Sequence, residues 1–273
     1  MSADRCASWG VQGIGRRAMA GFDIACGAAL ATAAGVPVVR LLGGEPRRIP
    51  AYNSCGLGLM PKDALADEAE KLLEGGFRAV KLRLGYPTLA EDLAAVHAVK
   101  ARIPQGVALM VDYNQALDVD EALMRGRALD RETLAWLEGP IRHDDYAGAA
   151  LIARDLSVPV TVGENFSLLG GMQTALNAKA CDVVMPDLER IGGVTGWLQA
   201  AAFAAKRKIK MSSHLYSETS ANLLAVTPTA HFLEYVDWAD KILQEPLQIV
   251  DGEAVIADRP GHGIVWDKAA VER

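Results

Sequence analysis

The sequence predicts an α/β fold, a TIM-like (β/α)7β barrel. Three observations predict it. Short apolar runs recur at a steady interval, stretches with helical apolar spacing fill the gaps, and nearly every run ends in an ionisable or polar residue. The clearest runs are Ala108–Asp112, Leu134–Glu138 and Val160–Glu164. Each closes on a carboxylate, and Asp112, Glu138 and Glu164 stand at equal intervals of 26 residues. One strand, one helix and two loops take about 25 residues. Three successive parallel strands therefore each place an acid at the C-terminal end, where barrel enzymes keep their active sites. Three acids at one mouth repel unless a cation binds them, and carboxylate oxygens suit hard Mg²⁺.

The first strand is expected over Ile49–Ser54. The second, Arg78–Leu84, sends Lys81 and Arg83 to one face, because strand side chains alternate with period two. After the three acidic strands, Asp182–Asp187 places Asp187 at a strand end, Ile209–His214 places His214, and His231–Glu234 places Glu234. Helices are expected over 61–75, 88–102, 118–130, 144–155, 168–179, 194–206 and 217–225, with Thr88, Asp118 and Ser217 as opening caps and an acidic first turn at Asp144-Asp145.

The 273 residues suit one barrel plus a small appendage, and 51% hydrophobic residues are enough for a large buried core. Net charge is −6 with no basic run, which argues against nucleic acid as a partner. Cys6, Cys26, Cys55 and Cys181 are scattered without a CxxC pair and read as reduced core thiols of a cytoplasmic protein. Arg16-Arg17 and the Ala-rich run to Val39 superficially resemble an export signal. Asp23 interrupts that run, which is too short to span a membrane, so a packed helix followed by a turn at Gly35-Val36-Pro37 is expected.

Several stretches carry a family resemblance: Phe77–Lys81, Met110–Gln115, Gly163–Asn165, Met185–Asp187, Ile191–Trp197, Met211–Leu215, Thr227–His231 and Pro260–Ile264. Over roughly residues 20–267 the chain resembles the enolase superfamily, within its mandelate racemase and muconate lactonizing enzyme group, and mandelate racemase most. The resemblance implies Asp112, Glu138 and Glu164 as Mg²⁺ ligands and Asp187–His214 as a catalytic dyad. It implies Lys81 and Glu234 as contacts to a substrate carboxylate, and Asn114 and Ser54 as further substrate contacts. Glu234 would then need a raised pKa to donate a hydrogen bond. The other histidines, His97, His143, His231 and His262, read as structural.

The implied activity is removal of the α-proton of a small 2-hydroxycarboxylate to give an enediolate, with racemisation or epimerisation as the outcome. Sugar-acid dehydration, with His214 as sole carbon base, is the alternative. A non-catalytic barrel that binds a ligand or other subunits is a third reading, and homo-oligomerisation is compatible with all three. Two residues depart from the family pattern. Lys81-Leu82-Arg83 stands where mandelate racemase has Lys-x-Lys, and an arginine, with a pKa above ~12, deprotonates carbon poorly. Gly139 stands where another Glu is common. The family also begins with an α+β capping domain, of which residues 1–45 are expected to be the C-terminal remnant. Residues 46–237 would form the barrel, and 238–273 a segment returning toward the cap.

Overall fold

A computed structural model describes residues 13–272 of the chain. Helix α1 (Ile14–Ala33) and the short α2 (Val38–Leu41) precede strand β1 (Ile49–Asn53). The repeat then runs α3 (Lys62–Lys71), β2 (Ala79–Arg83), α4 (Leu89–Lys100), β3 (Ala108–Asp112), α5 (Val119–Leu129) and β4 (Trp136–Glu138). It continues through α6 (Tyr146–Asp155), β5 (Val160–Val162), α7 (Leu168–Ala178), β6 (Val183–Val184), α8 (Leu188–Ile191) and α9 (Gly193–Arg207). Strand β7 (Lys210–Met211), α10 (Ser217–Ala225) and β8 (Leu233–Tyr235) complete it, followed by a hairpin of β9 (Gln248–Val250) and β10 (Glu253–Val255) and a last short helix, α11 (Lys268–Val271).

Strands β1 to β8 are parallel, each beside its sequence neighbour, and β8 returns to pair with β1. The seam between β7 and β8 is thin. A single bridge, Met211–Ala230, crosses it, with backbone bonds from Met211 to Thr229, His231 to Met211 and Ser213 to Phe232. The core lies between the sheet and the surrounding helices, and an aromatic cluster of Tyr52, Trp136 and Phe232 fills the barrel interior.

The expected elements are present with shorter strands in the second half. Glu164, Asp187 and His214 lie two to three residues beyond the strands that were expected to end in them. The causes are local. Gly163 has φ 145°, and a Cβ there would meet the Met185 backbone nitrogen at 2.7 Å. Pro186 has no N–H to continue a ladder. Thr88 caps α4 in a full capping box and Asp118 caps α5, as expected. Ser217 does not cap α10: it is the first helical residue, and its hydroxyl donates to the Glu234 carbonyl.

The run from Arg16 to Val39 is a packed helix and turn. Asp23, the residue that breaks its apolar pattern, accepts from Thr195 N (2.9 Å) and Thr195 Oγ1 (2.7 Å) at the start of α9. Among the described residues no helix is long and apolar enough to cross a membrane. The C-terminal segment meets the N-terminal one: Val38 N donates to Gly261 O (2.8 Å), and β10 pairs antiparallel with β1. Cys55 and Cys181 are unpaired and at least half-buried, whereas Cys26 is exposed, not a core thiol; Cys6 lies outside the described residues.

His231 packs against Trp136 and Phe232 at ring-centroid distances of 5.8 and 4.6 Å. Burial, aided by the Lys210 charge, pushes its pKa down to about 4. The unfolded chain, with a His pKa near 6.5, takes up a proton before the folded one does. This contribution is thus complete above pH ~6.5 and is lost as pH falls from there to about 4. We expect His231→Gln to flatten the fall in unfolding free energy across that window by about 2–3 kcal/mol. Denaturant titrations at several pH values check this, and equal slopes in both proteins would remove His231 as the cause.

Candidate active site

Strand register brings the site together. Lys81 and Arg83 sit on β2, Asp112 and Glu138 are direct cross-strand partners on β3 and β4, and Glu234 pairs in register with Tyr52 of β1. Lys81 is 1% exposed and lies among three carboxylates. Its Nζ is 2.7 Å from Glu234 Oε1, 3.1 Å from Glu138 Oε1 and 3.5 Å from Asp112 Oδ2. Burial works against its charge, but Glu138, Glu234 and Asp112 together outweigh that and raise its pKa. Arg83 Nη1 donates to Asp112 Oδ2 at 2.6 Å.

The acids divide the available charge unevenly. Burial and the Asp112 charge push the Glu138 carboxyl up, with Lys81 opposing. Glu234 is equally buried, yet Lys81 and His214 pull its pKa below the usual carboxylate range, and it also accepts from Leu215 N at 2.9 Å. A raised pKa at Glu234 was expected; the structure reverses it, because the Lys81 ammonium sits closest to that carboxylate.

Asp187 caps α8, accepting from Glu189 N and Arg190 N on Oδ1 (both 2.9 Å). Its Oδ2 pairs with His214 Nδ1 at 2.9 Å, which directs Nε2 away from Asp187, toward Glu164 Oε2 at 3.3 Å. Burial disfavours an imidazolium, but the bonds to Asp187 and Glu164 and the Glu234 charge prevail and hold His214 up to about 10. The bond from His214 holds Glu164 down to about 2.

Asp112, Glu138, Glu164 and Asn114 all line one open cleft. Lys81, Arg83, Glu234, Asp187, His214 and Ser54 are not part of its lining. Asn114, at φ 46°, folds back on Asp112: its N donates to Oδ1 (2.7 Å) and its Nδ2 to Oδ2 (3.2 Å). Ser54 donates from its backbone to Tyr235 O.

Several contributors were not singled out from sequence. Gln115 Nε2 (3.2 Å) and Asn165 Nδ2 (2.6 Å) both donate to Glu164 Oε1, and the Trp136 indole donates to Glu138 Oε2 at 3.3 Å. His143, read as structural, lines the cavity and binds Gln115 Oε1 through its backbone N–H. Adjacency to the acids was the available signal: Gln115 follows Asn114, Asn165 follows Glu164, and Trp136 shares a strand face with Glu138. Behind the mouth, buried Asp92 joins two loops. It accepts from Gly85 N, Tyr86 N and the Tyr113 hydroxyl and pairs with Arg125 at 2.7 Å.

Among the described residues no three His, Cys, Asp or Glu groups already converge as a chelating cluster. The donor set nonetheless fits a hard divalent cation. It offers carboxylate oxygens only, from three adjacent strand ends, on a shared cavity wall where acids outnumber cations. The ordered shell of Gln115, Asn165, Asn114 and Trp136 fixes each carboxylate's orientation, as outer partners do at metal centres.

Fold and site together define a parallel α/β-barrel enzyme with an acid-lined mouth and a histidine–aspartate dyad. Residues 64–270 match the family described as Enolase C-terminal domain-like. The chain belongs to this family. It is 32% identical over 265 residues to the L-talarate/galactarate dehydratase of Salmonella typhimurium, covering 97% of this chain and 67% of that enzyme. An enolase from alpha proteobacterium bal199 with bound magnesium superposes with TM-score 0.96 at 44% identity, covering 98% of this chain and 75% of that one. An enolase from Bradyrhizobium complexed with magnesium and mandelic acid superposes with TM-score 0.94 at 41% identity, covering 98% and 74%.

Proposed function

We propose that the chain is a Mg²⁺-dependent enzyme that removes the α-proton of a 2-hydroxycarboxylate, and that its reaction is dehydration of an acid sugar. The single observation that carries this reading is the asymmetry of bases. The His214–Asp187 dyad offers one imidazole at 2.9 Å from its orienting carboxylate. On β2, where the family pattern carries a second lysine, stands Arg83, bonded to Asp112 at 2.6 Å and always protonated. One carbon base suffices for elimination, whereas racemisation needs one on each face of the substrate.

Asp112, Glu138 and Glu164 would hold the ion. When bound, Mg²⁺ supplies Lewis-acid polarisation of the substrate carboxylate. Lys81 places a fixed positive charge beside that carboxylate, where negative charge grows as the α-proton leaves. His214 must first give up the proton on Nε2 that its bond to Glu164 stabilises, a bond lost if Glu164 turns to the ion. The neutral imidazole then accepts the α-proton at Nε2 while Asp187 keeps Nδ1–H in place. The same imidazolium then returns its proton to the departing β-hydroxyl, which leaves as water, and the resulting enol becomes a 2-keto acid. The polar groups of Gln115, His143 and Asn165 on the cavity wall suit a hydroxylated chain.

Racemisation is the second reading, favoured by the 41% identical structure that holds mandelic acid, a 2-hydroxy acid with no β-hydroxyl to lose. A panel of acid sugars and aryl 2-hydroxy acids with Mg²⁺ separates the two. Dehydration yields a 2-keto-3-deoxy acid. Racemisation yields solvent deuterium at Cα of an unchanged 2-hydroxy acid, and the absence of both outcomes would end this reading. For the metal, we expect Glu164→Gln to weaken Mg²⁺ binding at least tenfold, about 1.4 kcal/mol by calorimetry. Unchanged affinity would remove Glu164 from the site.

A further inference from the structure

Resting on the Mg²⁺ reading above, we infer that Arg83 is a displaceable counter-cation that occupies Asp112 and sets the affinity of the site for the ion. One oxygen of Asp112, Oδ2, is crowded by donors. Its Oδ1 accepts from Asn114 N at 2.7 Å. Its Oδ2 faces Arg83 Nη1 at 2.6 Å, Asn114 Nδ2 at 3.2 Å and Lys81 Nζ at 3.5 Å. A carboxylate oxygen has about two acceptor positions, so an ion reaching Oδ2 must evict one of these three donors.

The structure distinguishes which donor leaves. Lys81 is 1% exposed and tied to three acids, so moving it would strand Glu138 and Glu234 as well. Asn114 is neutral and held by its own backbone turn. Arg83 is 28% exposed and, among the described residues, its guanidinium bonds to Asp112 alone, through Nη1. It is the shortest of the three Oδ2 contacts and the one whose cation has solvent to move into. Both the dication and the guanidinium compete for one oxygen, so each weakens the other by the same factor. A departing guanidinium also becomes a free planar donor at the mouth, suited to a carboxylate or a pair of hydroxyls.

The test is Mg²⁺ calorimetry on wild type, Arg83→Met, Arg83→Lys and Glu164→Gln. We expect Arg83→Met to bind Mg²⁺ at least tenfold more tightly than wild type, with Arg83→Lys between them. Measurable binding in wild type without tightening in Arg83→Met overturns the inference while leaving the metal reading intact. No binding in wild type or in Arg83→Met ends the metal reading, and the inference with it. Binding in Arg83→Met alone supports both. A measurement on unaltered protein guards against a misfolded variant: the Arg83 Nε–H resonance should shift and exchange faster with solvent on Mg²⁺ addition. A resonance that stays fixed while Mg²⁺ binds means that the guanidinium stays on Asp112, and overturns the inference.

Discussion

His214→Asn is expected to abolish α-proton exchange, with a loss of roughly 10²–10⁴-fold from the missing general base. Asparagine keeps a polar group near the Asp187 side but has no nitrogen that can take a proton. Asp187→Asn should reduce exchange strongly through orientation alone, because Oδ2 at 2.9 Å accepts the Nδ1 proton that points Nε2 away from Asp187. Oδ1 of Asp187 also holds the first turn of α8, so this variant calls for a folding control by thermal melt. The measurement is deuterium uptake at Cα of a 2-hydroxy acid in D₂O by NMR. Undiminished uptake in His214→Asn would move the base elsewhere.

Lys81→Met is expected to give the largest loss of stability, about 3–5 kcal/mol. The ammonium is buried and compensates Glu234, Glu138 and Asp112 at 2.7, 3.1 and 3.5 Å. Removing it leaves three like charges in a region of low dielectric. The deficit should shrink as pH falls and Glu138, whose pKa burial and the Asp112 charge already raise, takes up a proton. Added Mg²⁺ should recover part of it by replacing positive charge. Chemical denaturation with and without Mg²⁺ checks this, and a loss below about 1 kcal/mol would mean that the acids are neutralised by other means.

The parts of this molecule that were legible in the sequence are those that depend on local pattern. The apolar runs place Asp112 and Glu138 at strand ends because β3 and β4 do end on those residues. Capping at Thr88 and Asp118 is equally local. Beyond Val162 the pattern misleads. Gly163 and Pro186 are small or apolar enough to extend a run on paper, yet one approaches a neighbouring backbone too closely for a Cβ and the other lacks a donor. The direction of the Glu234 shift was illegible for a different reason. It depends on Lys81, 153 positions earlier in the chain, approaching to 2.7 Å. The polar shell from Gln115, Asn165 and Trp136 likewise exists only once separate strands are side by side.

Ring closure has a kinetic meaning. Strand β1 pairs with β8 across some 180 residues of chain, from Ala51 to Leu233, and the other flank of β8 is joined by the thin bridge at Met211–Ala230. Contacts of such separation form late, because loop entropy is spent before they reward it. Glu234 belongs to that last strand, and it is also the closest partner of the buried Lys81. A nascent chain that has made seven strands therefore carries an interior ammonium without its nearest counter-charge. The barrel's topology and the closest counter-charge of Lys81 are thus supplied by the same three residues, Leu233 to Tyr235.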